Sequence, residues 1–412
     1  MELRPYQDEI AKKATKILKE CGFVYLSMEV RTGKTITALE TAYNFGAERV
    51  LFITKIKAFS SIKSDYDNIG YLYNLTIINK ESLHTIEEND FDVVIIDEAH
   101  GLAAFPKASK YQKDIRKRFS KKPIIFLSGT PTPESFSQWY HQLQVTEKSP
   151  FKQYTNFYKW ANDFVNVTEQ NLGYARVKVY KDGIESKILP QIQPYIITFT
   201  QAQAGFTSEV NEHILECPME DITYDIIKRL KRDKIVQGKS GLILGDTGVK
   251  LMQKVHQLSS GTCKFEDGTS MVIDYSKAKF IKWKFENEKI AIFYKFKEEL
   301  NALRQVYGAE NLTEDLDEFN TTNKVIALQI ISGREGISLK NAKYLVYYNI
   351  DFSATSYWQS RDRLTTMDRN TNDIYWIFSK GNNSIERNIY KSVMSKKNYT
   401  LSNFKRDYYV DI

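Results

Sequence analysis

The sequence predicts an α/β protein built from two consecutive units, each formed around a parallel sheet. Its 412 residues exceed what one ordinary hydrophobic core needs, and the 42% hydrophobic content is sufficient for two interiors. Short β-branched runs alternate with amphipathic helical patterns, and the alternation occurs as two separate series. Short continuous apolar runs are typical of strands that are buried on both faces of a parallel sheet.

The first unit is predicted over residues 1–205. Helical patterns are present at 7–19 and 36–43. An aromatic-rich stretch at 142–193 breaks the alternation, and we expect it to be a helical insertion on this unit. The predicted strands are 23–27, 50–54, 76–78, 93–96, 124–127 and 195–200.

The second unit is predicted over residues 221–412, after a linker at 206–220. Helical patterns at 221–237 and 247–258 predict a helical protrusion over about 221–260. A second α/β series follows it. The predicted strands of that series are 290–294, 325–329, 344–348 and 374–378.

Charge and cysteine usage limit the function classes. The formal net charge of +7 suits a polyanionic partner but does not establish one. Cys21, Cys217 and Cys263 stand singly, which disfavours a zinc site or a disulfide framework and fits a reducing compartment. The sequence contains neither an apolar signal segment nor the ~20 apolar residues of a membrane span. We therefore expect a cytoplasmic protein without a membrane partner.

The strongest local motif is MEVRTGKT, residues Met28 to Thr35, between a predicted strand and a predicted helix. Backbone amides of such a turn form an anion cradle at the helix N-terminus. Lys34 would reach the terminal phosphates of ATP, and the Thr35 hydroxyl would bind Mg²⁺. Met28 replaces the first glycine of the usual pattern. The cradle itself would consist of Arg31, Thr32 and Gly33.

A second motif, Asp97-Glu98-Ala99-His100, follows the predicted strand 93–96. Carboxylates at the C-terminal tip of a parallel strand lie where such sheets bind ligands. Asp97 would hold Mg²⁺, directly or through water, and Glu98 would orient and deprotonate the attacking water. A plain acidic turn is the alternative for an isolated pair, but the preceding phosphate loop disfavours it. The two motifs together predict ATP and Mg²⁺ as cofactors.

The order GKT, DEAH and Ser128-Gly129-Thr130-Pro131 resembles the superfamily-two helicases and translocases. The likeness is greatest to the Swi/Snf-type DNA-dependent ATPases, including small phage-encoded ones. It implies two tandem RecA-like lobes with an ATP cleft between them, and coupling roles for Ser128 and Thr130. Arg4-Pro5-Tyr6-Gln7 is similar to the family's opening motif, in which the glutamine reads adenine. Gln7 would be that residue.

The resemblance continues, with gaps, over nearly the whole chain. Segments 214–218 and 291–294 resemble the stretch between the lobes and motif IV. Gln359 and Arg363 match motif VI, which implies catalytic roles for both, and Ser384-Ile385-Glu386 matches the closing helix. Motif V is represented by Gly333, Gly336, Ile337 and Leu339, of which Gly336 would take part in coupling.

Motif VI departs from the family pattern at one position. The family has two arginines there, and Arg363 fills the first place, four residues after Gln359, while Thr366 occupies the second, seven residues after it. The resemblance then implies that transition-state charge is stabilised by Arg363, or by Arg361 or Arg369 in its support.

The resemblance also places a nucleic-acid track on both lobes. Its residues would bind phosphates, which positions a strand without reading its sequence. The basic run 107–122 overlaps this track, and for its outer lysines we favour a solvated helix face. The track residues are Thr54, Lys55, Asn79, Ser82 and Lys107 in the first lobe, and Lys295 and Arg334 in the second.

The sequence therefore predicts a nucleic-acid-dependent ATPase that translocates on DNA, with duplex favoured over single strands and RNA a weaker choice. We expect a monomer in the cytoplasm of a bacterial cell, or of the host cell if the protein is phage-encoded. A strand-separating or branch-migrating helicase on DNA or RNA is one alternative. The other is an ATP-binding nucleic-acid scaffold with little hydrolysis, which the missing second arginine makes conceivable.

Overall fold

The computed structural model describes residues 2–86, 90–171, 176–207, 209–333, 337–361, 363–366, 369–381 and 384–395. The chain divides into two units, Met1–Phe206 and Thr207–Ile412. Within the described residues, the helices are too short or too polar to cross a membrane.

The first unit is formed around a parallel sheet of six strands. Its helices are α1 (Pro5–Cys21), α2 (Lys34–Phe45), α3 (Phe59–Ile69), α4 (Lys110–Phe119), α5 (Trp139–Leu143), α6 (Phe157–Phe164) and α7 (Glu185–Ile192). Its strands are β1 (Phe23–Met28), β2 (Arg49–Ile53), β3 (Asn74–Ile78), β4 (Val93–Ile96), β5 (Ile124–Leu127), β6 (Thr168–Asn171), β7 (Arg176–Val179) and β8 (Ile196–Phe199). The order across the sheet is β3-β2-β4-β5-β1-β8, and β6 and β7 form a separate antiparallel pair.

Helices cover both faces of this sheet, which explains why its central strands are apolar on both sides. Along β1, Val24 and Leu26 pack with α1, α2 and α3, whereas Phe23 and Tyr25 pack with α4 and the insertion helices α5, α6 and α7. The alternation follows from the two-residue period of a strand. Each face therefore has its own hydrophobic core.

The second unit repeats this plan with another parallel sheet of six strands. Its helices are α8 (Asp221–Asp233), α9 (Gly248–Ser259), α10 (Ser276–Lys284), α11 (Lys297–Tyr307), α12 (Leu316–Thr321), α13 (Ile330–Gly333), α14 (Ala354–Arg361) and α15 (Ile385–Met394). Its strands are β9 (Glu209–Cys217), β10 (Ile235–Gln237), β11 (Leu242–Leu244), β12 (Thr262–Lys264), β13 (Ser270–Val272), β14 (Ile290–Tyr294), β15 (Leu312–Thr313), β16 (Val325–Gln329), β17 (Tyr344–Tyr347) and β18 (Thr371–Ser379). The order across the sheet is β15-β16-β14-β17-β18-β9, and the pairs β10-β11 and β12-β13 are separate hairpins.

The predicted fold class is confirmed, and three local predictions need correction. The expected linker 206–220 contains β9, which pairs in parallel with β18 over nine residues as an edge strand. The helix expected at 221–237 ends at Asp233, because Lys234 takes a left-handed conformation with φ of 62°, and 235–237 is β10. The insertion 142–193 is not wholly helical, since it includes the β6-β7 hairpin.

The first sheet brings several polar residues to one edge. Because its six strands are parallel, the residue that follows each strand lies at the carboxyl edge of the sheet, where such folds bind ligands. The residues in question are Glu29 after β1, Thr54 after β2, Asn79 after β3, Asp97 after β4 and Ser128 after β5.

Candidate active site

The backbone conformation of the loop after β1 allows helix α2 to begin at Lys34. Arg31 and Gly33 both have positive φ, 64° and 83°, and Gly33 is the N-cap of the helix. Thr32 is buried, and its hydroxyl donates to the Glu29 carbonyl at 2.7 Å, which closes the turn. Lys34 Nζ lies 3.3 Å from the same carbonyl. The loop thus presents a helix N-terminus with a lysine beside it, an arrangement that binds anions.

The N-terminal segment packs directly against this loop. A Cβ placed on Gly33 would lie 2.0 Å from Nε2 of Gln7, so the glycine is required for the approach. The Gln7 Oε1 accepts from the Arg4 backbone amide at 2.9 Å, which fixes the orientation of the side-chain amide. Tyr6 donates its hydroxyl to the Thr32 carbonyl at 3.2 Å. The structure therefore brings Gln7 together with the phosphate loop, and its contact with adenine stays a prediction.

The Asp97 carboxylate is held at the tip of β4. Its Oδ2 accepts from the Thr54 hydroxyl at 2.8 Å, and its Oδ1 accepts from the Glu98 amide at 2.9 Å. Burial raises the pKa of the Asp97 carboxyl to about 6, and the negative charge of Glu98 adds to the increase. The Thr54 bond and the charge of Lys34 act in the opposite direction. Asp97 and Lys34 thus belong to one electrostatic site.

Glu98, His100 and Ser128 join the tips of β4 and β5. Glu98 has φ of 47° and ψ of 50°, a left-handed conformation that is costly for a residue with a side chain and is often found at functional sites. His100 Nδ1 lies 3.1 Å from Glu98 Oε2 and 3.1 Å from the Ser128 hydroxyl oxygen. That oxygen also accepts from the Thr130 amide at 3.1 Å. The residues predicted for water activation and for coupling are therefore in contact through His100.

The residues at this edge fit the Mg²⁺ that accompanies ATP. Thr35 lies partly buried in the first turn of α2, and Asp97 offers a carboxylate whose burial a divalent cation would offset. Among the described residues, no three histidine, cysteine, aspartate or glutamate side chains converge. One carboxylate and one hydroxyl, completed by substrate phosphates and water, is the kind of set that Mg²⁺ uses in ATPases. The assignment of Thr35 and Asp97 as ligands stays a prediction.

The motif VI residue Gln359 lies in the last turn of α14 in the second unit, and Arg363 follows the end of that helix. Arg363 is 8% exposed, and its guanidinium donates to the carbonyls of Gln359 at 3.0 Å and Ile337 at 3.3 Å. Gln359 is also buried, and within the described part of the chain its Oε1 has no hydrogen-bond partner. Arg334 and Gly336 lie outside the described residues.

Both candidates for the missing second arginine are held within the second unit. Arg361 lies 3.4 Å from the Glu212 carboxylate, with its guanidinium over the Trp358 ring at 4.8 Å. The Arg369 guanidinium donates to three backbone carbonyls, those of Ala342, Lys343 and Thr371. Either arginine would have to leave these partners to support Arg363.

The predicted nucleic-acid residues of the first unit fall into two groups. Lys55 and Lys107 are exposed at the surface. Thr54 is buried, and its side chain is directed to the Asp97 carboxylate instead of to solvent, where a phosphate contact would be made. The Asn79 side chain accepts from the Ser82 amide at 3.0 Å and caps the short 3₁₀ helix Lys80–Thr85.

Lys295, the predicted track residue of the second unit, is largely buried. Its ammonium forms an ion pair with Asp351 at 2.8 Å and lies 3.9 Å from the centre of the Phe352 ring. Its side chain is only 12% exposed. A phosphate contact by Lys295 would therefore compete with an existing carboxylate.

Sequence reasoning missed Glu212, which organises the elements around motif VI. Its carboxylate accepts from the hydroxyls of Tyr357 and Tyr390, each at 2.7 Å, and from the indole nitrogen of Trp376 at 3.0 Å. These contacts join α14, α15 and β18 to β9. The signal in the sequence was weak, because β9 alternates between polar and partly buried residues and was interpreted as part of the linker.

The sequence model of the SNF2-related domain matches residues 27–265, which is more than half of the chain and contains the phosphate loop and the DEAH motif. The chain belongs to the SNF2-related domain family. This SNF2-related protein is accordingly a nucleic-acid-dependent ATPase.

Two solved structures resemble this SNF2-related ATPase along its length. One is the Sulfolobus solfataricus SWI2/SNF2 ATPase core in complex with dsDNA, with 16% sequence identity. The match covers 99% of this chain and 94% of that chain, with a TM-score of 0.44. The other is the Sulfolobus solfataricus SWI2/SNF2 ATPase core domain, with 14% identity, coverage of 100% and 95%, and a TM-score of 0.43. No curated protein matches the sequence.

Proposed function

We propose that this SNF2-related ATPase translocates along double-stranded DNA, or remodels complexes on it, by hydrolysing ATP. The observation that carries the proposal is the 2.8 Å hydrogen bond from Thr54 to Asp97. Asp97 is proposed to hold the Mg²⁺ that accompanies ATP, and Thr54 is followed directly by the exposed Lys55. One hydrogen bond therefore connects the proposed nucleotide site to a proposed DNA contact.

The chemistry is assigned to residues at the carboxyl edge of the first sheet. The Glu98 carboxylate accepts a proton from water as the water oxygen attacks the γ-phosphorus, and the bond from that phosphorus to the β-γ bridging oxygen breaks. Lys34 exchanges the Glu29 carbonyl, 3.3 Å away, for the phosphates of ATP. Mg²⁺, held by Thr35 and Asp97, supplies charge neutralisation on the phosphate oxygens when it is bound.

Arg363 and Gln359 complete the proposed catalytic set from the second unit. Arg363 would exchange the Ile337 carbonyl, at 3.3 Å, for the negative charge that develops on the transferred phosphoryl group. Duplex DNA is proposed as the track because the Swi/Snf-type ATPases that the motifs resemble follow duplexes without separating the strands. Lys55 and Lys107 are the proposed phosphate contacts with exposed side chains.

Steady-state ATP hydrolysis tests the ATPase assignment and the track together. The rate is measured without nucleic acid and with duplex DNA, single-stranded DNA and RNA, beside a Glu98→Gln control. We expect duplex DNA to stimulate hydrolysis strongly, and the control to lower the stimulated rate by about 10²-fold or more, because a general base contributes about that much. Hydrolysis no faster than the control under any condition would favour an ATP-binding scaffold.

A second experiment separates translocation from unwinding. A triplex-displacement assay reports movement along a duplex, whereas a forked duplex reports strand separation. We expect ATP-dependent triplex displacement without unwinding of the fork. Stimulation by single strands or RNA alone, with unwinding of the fork, would replace the proposal with a strand-separating helicase.

A further inference from the structure

A groove on the first unit lies between α4 and the insertion that contains α5 and α6. It has a volume of about 700 Å³. One wall consists of α4 and the residues that follow it, and the other includes Tyr140 from α5 and Phe157 and Tyr158 from α6. None of the predicted ATP-site or track residues lines it.

The α4 wall carries a row of four basic residues. Lys113, Arg116 and Lys117 lie along one face of α4, Lys121 comes two residues after the helix ends at Phe119, and all four are exposed. Ile115 and Phe119 on the opposite face are buried against the sheet, so the basic face is directed away from the core. Among the described residues, none of the four cations has an ion-pair or side-chain hydrogen-bond partner.

The groove has little opposing negative charge. Glu147 is the acidic residue that lines it, and its carboxylate already accepts from the Ser120 hydroxyl at 3.2 Å. Four cations against one carboxylate give the groove a net positive charge. Unpaired cations along a groove attract a polyanion, and the attraction is strongest where the anion carries regularly spaced charges.

The insertion wall adds an aromatic surface. The Tyr158 side chain is 44% exposed, and edge contacts with the Phe157 and Tyr180 rings, whose centroids are 6.0 and 5.6 Å away, hold its position. Aromatic rings beside cations are the combination with which proteins bind nucleic-acid strands, because sugars and bases cover the ring while phosphates meet the charges. An acidic peptide would use the cations but has no general need for the ring.

The position of α4 separates this groove from the proposed nucleotide contacts. The helix connects the carboxyl end of β4 to the amino end of β5, so it runs from the Asp97 edge of the sheet to the opposite edge. Arg116 and Lys117 therefore lie on its distant half, and Lys121 lies beyond its C-terminal end. From Lys113 to Lys117 the helical part of the row is about 6 Å long, at about 1.5 Å per helical residue, and Lys121 extends the row past the end of the helix.

We propose that this groove is a second nucleic-acid site, which binds the sugar-phosphate backbone of DNA apart from the ATP-coupled track. The proposal rests on the proposed function, because DNA is the polyanion along which this ATPase is proposed to move. The groove contributes affinity and leaves the hydrolysis step unchanged once DNA is saturating.

The test is the double variant Lys117→Glu, Lys121→Glu in the full chain. Duplex binding is measured by fluorescence anisotropy without ATP at several salt concentrations. We expect about tenfold weaker binding at moderate salt, and a slope of log K against log salt that is smaller by about 2, because two phosphate contacts are lost. The rate of ATP hydrolysis at saturating duplex should stay within about twofold of the parent, since these side chains lie away from the Asp97 edge.

The matched control is Lys16→Glu, Lys152→Glu, which changes the net charge equally. Both of these lysines are exposed in the first unit and neither lines the groove. Equal losses of affinity in the two double variants would show a bulk charge effect and overturn the site. Anisotropy detects DNA binding without hydrolysis, so an absence of DNA-stimulated ATPase in the parent would count against the proposed function alone.

Tyr158 provides an independent test of the insertion wall. Tyr158→Ala removes the ring, whereas Tyr158→Phe keeps it and removes only the hydroxyl. We expect the alanine variant to bind single-stranded DNA about tenfold more weakly and the phenylalanine variant to bind like the parent. Parent-like binding by the alanine variant, or competition by polyglutamate as effective as by DNA of equal charge, would favour an acidic protein partner over nucleic acid.

Discussion

At the scale of single residues, two side chains outside the phosphate loop hold the proposed catalytic carboxylates in place. Thr54 donates to Asp97, and His100 stands within 3.1 Å of both Glu98 and Ser128. Neither side chain is proposed to touch ATP. Their effect on hydrolysis should therefore appear in the turnover rate more than in nucleotide affinity.

Thr54→Val is expected to lower the DNA-stimulated turnover rate about tenfold. The substitution keeps the shape of the side chain but removes the donor to the buried Asp97 carboxylate, and a hydrogen bond to a charged group contributes about 1.5–3 kcal/mol. Thr54→Ser retains the hydroxyl and should keep most of the activity. Steady-state kinetics with varied ATP give the comparison, and a valine variant as fast as the serine variant would contradict this role.

His100→Ala is expected to reduce stimulation by DNA while the KM for ATP changes little. The substitution breaks the contact between the tips of β4 and β5, which carry Glu98 and Ser128. His100→Asn is the conservative control, because its side-chain nitrogen can take the place of Nδ1 and should preserve part of the stimulation. The role is excluded if alanine and asparagine variants show the stimulation of the parent.

At the scale of elements, the N-terminus of α2 depends on a close approach between two segments far apart in sequence. Gly33 caps the helix in a left-handed conformation, and the amide of Gln7 from α1 occupies the space where a Cβ would lie. The same helix ends at Gly46, which is also left-handed but has open space around it. A side chain at Gly46 would therefore introduce backbone strain alone, whereas a side chain at Gly33 would introduce both strain and a steric clash.

Gly33→Ala is expected to raise the KM for ATP more than tenfold, because the new methyl group displaces Gln7 from the phosphate loop. Gly46→Ala carries a similar left-handed strain, of about 1 kcal/mol, without a clash. That control should lower the melting temperature by a few degrees and leave the KM unchanged. Similar KM values for the two variants would indicate that Gln7 does not support nucleotide binding.

At the scale of the whole molecule, each of the two units has its own sheet and its own cores, and the second unit contains a buried ion pair. Lys277 on α10 and Glu386 on α15 are both 0% exposed and form an ion pair. Lys277 also donates to the Tyr348 carbonyl at 3.1 Å, and Glu386 accepts from the Ser379 amide at 2.7 Å. The ion pair and these two hydrogen bonds thus connect α10 and α15 to each other and to the sheet within the core.

Lys277→Met is expected to destabilise the second unit by about 3–5 kcal/mol, because it leaves the Glu386 carboxylate buried without its partner charge. The double variant Lys277→Met, Glu386→Gln should recover much of the loss, since the amide can still accept from Ser379. Hydrogen exchange followed by mass spectrometry localises the effect. Protection should fall in α10 and α15 and persist in β1 and β4, and a uniform loss over both units would contradict the prediction.

The first sheet was predictable because its strands are short apolar runs, and all six predicted strands are present within a residue or two of their expected bounds. β9 was not predicted as a strand, since an edge strand with one partly solvated face lacks a continuous apolar run. The helix predicted at 221–237 was too long, because a lysine at position 234 gave no sign of its left-handed conformation.

The sequence by itself determined the family and the fold class, and it predicted the chemistry of the phosphate loop and the acidic pair. Those features depend on the order and spacing of residues close together in the chain, which a sequence displays directly. Only the tertiary structure decided that Thr54 bonds Asp97 and that His100 meets Ser128, contacts between residues 43 and 28 positions apart. It also placed the α4 cations opposite the aromatic insertion. The first contacts arise because parallel strands bring distant segments to one edge of the sheet, and the second because a helix packs by its buried face. Neither kind of contact produces a local pattern in the sequence.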